Sequence, residues 1–116
     1  MSCWGANFDG QLGDGTGTGS LTPVAVLGLA DATAIAAGDG HACAVRATGS
    51  VVCWGYNNDG QLGDGTEDSR LEPVTVPGLA GATAIGLGDS HSCAVLDSGE
   101  AWCWGYNTDG QLGNGT

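Results

Sequence analysis

The chain has 116 residues, and its two arginines against thirteen acidic residues, with no lysine, give a formal charge of −11. Affinity for phosphate backbones comes largely from Lys and Arg displacing counterions, so this balance speaks against nucleic acid and, by the same sign, against an anionic membrane surface. No apolar run approaches the length of a membrane span, and Met1-Ser2-Cys3-Trp4 lacks the charged-then-apolar order of a signal peptide, so any export signal is expected upstream.

The first segment, CWGANFDGQLGDGT from Cys3, returns as CWGYNNDGQLGDGT from Cys53 and as CWGYNTDGQLGNGT from Cys103. A fixed period of that size marks a repeat architecture, in which one unit cannot bury its apolar face alone. The chain divides into the end of one unit at 1–16 and complete units at 17–66 and 67–116, the last two identical at about 30 of 50 aligned positions.

Twenty-three glycines and the lack of any long 3.6-residue apolar pattern predict an all-β chain with tight turns. In chain order the predicted strands are Pro23–Val26, Ala34–Ala37, His41–Val45 and Ser50–Trp54, then Pro73–Val76, Ala84–Leu87, His91–Val95 and Glu100–Trp104. Four short antiparallel strands per unit is the content of a propeller blade.

The last two strands of each unit carry the sharpest expectation. A three-residue loop Ala47-Thr48-Gly49 sets Val45 opposite Val51 and Cys43 opposite Cys53, with glycine where a left-handed residue is wanted. The cysteines then fall on a close, non-hydrogen-bonded pair that a disulfide can span, and Asp97-Ser98-Gly99 repeats the geometry for Cys93 and Cys103. Structural disulfides Cys43–Cys53 and Cys93–Cys103 follow, with Cys3 left single; they place the protein outside the cytoplasm, in an extracellular or periplasmic setting. Buried free thiols in a reducing compartment are the alternative.

The oxygen-rich segment around Asn57, Asp59 and Asp64 resembles a calcium loop in composition, but aligning Gly60 with the glycine of an EF-hand puts Gly55 first and Thr66 last, so the match fails. Turn chemistry is the better reading, and no metal or cofactor is expected. His41 and His91 recur at the repeat period and read as hydrogen-bonding residues that pin strand to loop; with no nucleophile motif, an enzyme is not expected. Trp4, Trp54 and Trp104 read as core or inter-blade packing. Trp102, whose counterpart is Val52, and the loop residues Tyr56 and Tyr106, replaced by Ala6 in the partial unit, are the candidate interaction residues, with packing against an adjacent blade the alternative for Trp102.

The runs GDGHACAV and GDSHSCAV, each followed by CWGYN-x-DGQLG, resemble repeats of the regulator of chromosome condensation family over practically the whole chain. The resemblance implies a β-propeller, commonly of seven blades, and the paired cysteines are closest in character to bacterial secreted members. Because members of the family do unrelated jobs, function has to be read from the sites. Two blades leave apolar sheet faces uncovered, so completion as a homo-oligomer of three or four copies, or within a longer chain, is expected. The leading functional reading is a protein-recognition or scaffolding module working through inter-blade loops. A purely structural propeller fragment, natural or engineered, and a calcium-stabilised adhesion module are its rivals.

Overall fold

The computed structural model describes residues 2–5, 7 and 10–105. Nine strands form among them: β1 (Ser2–Gly5), β2 (Ser20–Ala25), β3 (Ala32–Ala37), β4 (His41–Arg46), β5 (Val51–Gly55), β6 (Arg70–Thr75), β7 (Ala82–Leu87), β8 (His91–Leu96) and β9 (Ala101–Gly105). They build three antiparallel sheets, β1-β2, β3-β4-β5-β6 and β7-β8-β9. The chain is all-β, an incomplete propeller.

The β4–β5 hairpin has the register that its loop dictates, with Val45 opposite Val51, Ala44 opposite Val52 and Cys43 opposite Cys53. Gly49, at φ 85°, takes the left-handed position that a side chain would strain. Both disulfides are present, each with its Cα atoms 4.1 Å apart, and Cys3 has no disulfide partner. The β8–β9 hairpin repeats this pairing, with Ala94 opposite Trp102.

The first two sheets take their outermost strand from the following sequence unit: β6, beyond residue 66, pairs with β5, just as β2 pairs with β1. A structural blade therefore straddles the 66/67 boundary of the sequence repeat. The physical reason is the loop 56–69, which folds back on its own blade and returns the chain to the edge of the same sheet; the step to the next blade comes later, between β6 and β7.

Strand alternation gives the middle sheet two apolar faces. Ala42, Ala44, Val52 and Trp54 pack on one side with Val26 and Leu29. Cys43, Val45, Val51 and Cys53 pack on the other with Leu62, Val76, Ala82 and Ala94. Burial on both sides explains why β4 and β5 read as nearly unbroken apolar runs, and each fully buried valine stabilises the blade by about 1.5–3 kcal/mol. The outer sheets lack a neighbour on one side. Val45 is 1% exposed while its counterpart Val95 is 42% exposed, and Trp4, the counterpart of the buried Trp54, is 63% exposed.

Candidate functional site

The loop that returns the chain to the edge of its own sheet, 56–69 in the middle blade, is built first by asparagine. Buried Asn57 accepts the Leu62 N–H at 2.9 Å through its side-chain oxygen and donates its amide to the carbonyls of Thr66 and Asp68, both at 3.0 Å. Asp64 accepts the Thr66 N–H at 2.9 Å, the Thr66 hydroxyl at 2.7 Å and Arg70 Nε at 3.1 Å. Burial alone would raise its carboxyl, but these donors outweigh it and hold the pKa below the usual carboxylate value. Asn7 and Asp14 repeat the arrangement one unit earlier. The side-chain oxygens of Asn57 and Asp64 thus serve their own turn, while Asp59 stands exposed and its N–H donates to Gln61 Oε1 at 2.9 Å.

The loop seats a tryptophan of the next blade. The Trp54 indole N–H donates to the Gln11 carbonyl and that of Trp104 to the Gln61 carbonyl, each at 2.8 Å. Glycine is required beneath each ring: a Cβ on Gly13 would lie 2.8 Å from Trp54, and one on Gly63 2.7 Å from Trp104. At the second junction the Ser92 hydroxyl also donates to the Gln61 carbonyl at 2.7 Å, and its oxygen lies 2.9 Å from His41 Nε2. Since the single hydroxyl proton is committed to Gln61, His41 must donate from Nε2. His41 is buried, and that burial pushes its pKa below 6.5, keeping the ring neutral. The histidine therefore pins blade to blade through a strand residue, where pinning of strand to loop was expected.

Beside this latch a groove of about 390 Å³ is lined by Gln11, Asp39, Gly40, Tyr56, Asp89 and Ser90. Its walls come from three blades: the loop after β1, the β3–β4 turn with the exit of β5, and the β7–β8 turn. The Tyr56 N–H donates to the Gly40 carbonyl at 2.9 Å, which ties the aromatic residue to the turn carrying Asp39. Two carboxylates one repeat apart make the groove electronegative.

Trp102 lies elsewhere. It is 51% exposed near the start of β9, whereas Tyr56 follows the end of β5, so the two serve opposite ends of the strands. Val52, its counterpart, lines a second groove of about 250 Å³ together with Leu27, Leu29, Arg46 and Glu72. Tyr106 lies outside the described residues. The sequence reading missed Asp39 and Asp89 as groove residues and Ser92 as a latch. The alignment of Ala42 with Ser92, directly after a recurrent histidine, was the available signal for the last.

Sheets of short antiparallel strands, packed face to face, with loops that seat the next blade's tryptophan, define a β-propeller repeat protein. The family model described as Regulator of chromosome condensation (RCC1) repeat matches residues 3–45 and 48–95, and a second model of that repeat matches 32–61 and 82–111. The chain belongs to this family. Among solved structures it is similar to human WBSCR16, at 22% identity and TM-score 0.81, over 91% of this chain and 28% of that one. It is also similar to Prp20p from Saccharomyces cerevisiae, at 22% identity and TM-score 0.82, over 99% of this chain and 31% of that one. The same yeast protein in its complex with Kap60 matches at 21% identity and TM-score 0.76. The chain thus spans less than a third of these structures, and the likeness is one of fold. No curated protein sequence matches it.

Proposed function

We propose that the chain is a non-enzymatic propeller module that recognises a basic segment of a protein partner through the groove around Tyr56, in an extracellular or periplasmic setting. The observation that carries this reading is the pairing of Asp39 and Asp89 across one groove with Tyr56 and Gln11, on a chain of net charge −11. Carboxylates accept from Lys and Arg, and a tyrosine ring supplies flat contact area to an aliphatic stem or a cation. The same charge disfavours nucleic acid and anionic membrane. Two disulfides favour an oxidising compartment. Protein binding by a related fold supports the class of partner: the yeast neighbour is described with binding properties to Gsp1p and histones.

The test is a panel of immobilised peptides, one set rich in Lys and Arg, one neutral and one acidic. The wild-type chain should bind the basic set, more weakly as salt rises. The Asp39→Asn/Asp89→Asn variant should lose about tenfold for two removed carboxylates, both exposed and each worth about 0.7 kcal/mol. Equal binding to all three sets, or binding unchanged by Tyr56→Ser and by the double substitution, would place recognition elsewhere.

A further inference from the structure

We infer that the 116-residue chain assembles head to tail with copies of itself, β9 of one copy taking β2 of the next as its outermost strand in place of that copy's own β1. The two strands are interchangeable by register. In the β1–β2 ladder Ser2, Cys3 and Gly5 lie opposite Ala25, Val24 and Ser20. In the complete middle sheet Val52, Cys53 and Gly55 of β5 lie opposite Thr75, Val74 and Arg70 of β6. Trp102, Cys103 and Gly105 of β9 occupy the β5 positions of their own sheet, and among the described residues β9 has β8 as its only strand neighbour. The ladder that β5 makes with β6 is therefore the one that β9 can make with β2, position for position.

Exchange covers what the single chain leaves bare. Ile35 is 48% exposed on the face of β3 that looks toward the first sheet, because β1-β2 brings no inner strands to meet it. Its counterpart Ile85 is packed against the core formed with the middle sheet. Val95 is 42% exposed where Val45 is 1% exposed against Ala82 and Ala94. A copy whose β7-β8-β9 sheet replaces β1 would set its Val95 face against the Ile35 face of the next, repeating the observed junction between the middle and third sheets. The occupant is specified by that junction: a surface with this spacing of small and branched residues is met by its own repeat. β1 offers β2 one short strand, whereas β9 brings a three-stranded, disulfide-linked sheet. Each copy then supplies two complete blades. Because the chain spans 28% and 31% of two propeller relatives, three or four copies supply a ring of six or eight blades. This inference is independent of peptide recognition by the Tyr56 groove, and either can fail alone.

The experiment is molar mass against concentration, by light scattering and native mass spectrometry. The chain should reach three or four times its 11.4 kDa. Removing residues 2–5 should shift assembly to a concentration at least tenfold lower, since the competing strand is gone. Ile35→Asp and Val95→Asp, each at a position exposed in the single chain, should each stop ring closure while near-ultraviolet dichroism from Trp54 persists. Mixed together, the two variants should form a one-to-one dimer through the one intact junction left to them. A compact monomer at every concentration, assembly lost on removal of residues 2–5, or no dimer from the mixture would each overturn the inference.

Discussion

Ser92 carries two bonds at the second blade junction, giving its proton to the Gln61 carbonyl and accepting from His41. Its counterpart Ala42 shows that the slot tolerates a methyl group where no histidine reaches it. Ser92→Ala should therefore cost about 1–3 kcal/mol, the cost of stranding the buried His41 N–H, read as a lowered urea midpoint at an unchanged slope. His41→Phe in the same background should restore part of that loss, because the stranded donor is gone. Protonation gives a second test at this residue. Burial lowers the His41 pKa from 6.5, so the folded state binds fewer protons than the unfolded state in mild acid. Stability is full above about pH 6.5 and declines below it until the lowered folded value is reached. Asp64, also lowered, adds a second decline below about 3.8. Urea midpoints measured from pH 8 to pH 3 should show both windows, and His41→Phe should remove the first alone.

At the scale of the hairpin, Cys43–Cys53 closes a separation of ten residues. The chain-entropy model assigns such a loop about 3 kcal/mol, so Cys43→Ser/Cys53→Ser should lower unfolding stability by that amount plus the cost of burying two hydroxyls. Cys93→Ser/Cys103→Ser should cost less, since those residues are only partly buried. Denaturant unfolding of the two pairs, with and without reductant, checks the order. This hairpin was legible in the sequence because its register follows from counting outward from Gly49, a purely local operation. The blade boundary was not, because β6 returns to β5 across the loop 56–69, and nothing local tells whether a chain leaving a strand rejoins the same sheet or starts the next. The site divides in the same way. Tyr56 stood out against Ala6, and Trp102 against Val52, but two differences between repeats do not say which end of a strand each residue occupies. Asp39 and Asp89 read as ordinary turn residues until the fold set them across one groove.

For the whole molecule the decisive quantity is charge that finds no partner. Both arginines are committed, Arg46 to Asp31 at 2.9 Å and Arg70 to Asp64 at 3.1 Å, which leaves the net charge of −11 to act within the body and between bodies. Self-repulsion among exposed carboxylates disfavours compact states and is screened over about 10 Å at 0.1 M salt. Raising sodium chloride from 10 to 200 mM should therefore raise the melting temperature by about 4 °C, corresponding to about 1 kcal/mol for a chain of this size. The two association events should respond to salt with opposite signs. Copies of the chain meet through apolar faces while their carboxylates repel, so salt should tighten the ring. A basic peptide meets Asp39 and Asp89 through attraction, so salt should loosen it. Measuring both in one titration separates the surfaces: a common sign would mean that the same residues serve both, and opposite signs would assign assembly to the sheet faces and recognition to the groove.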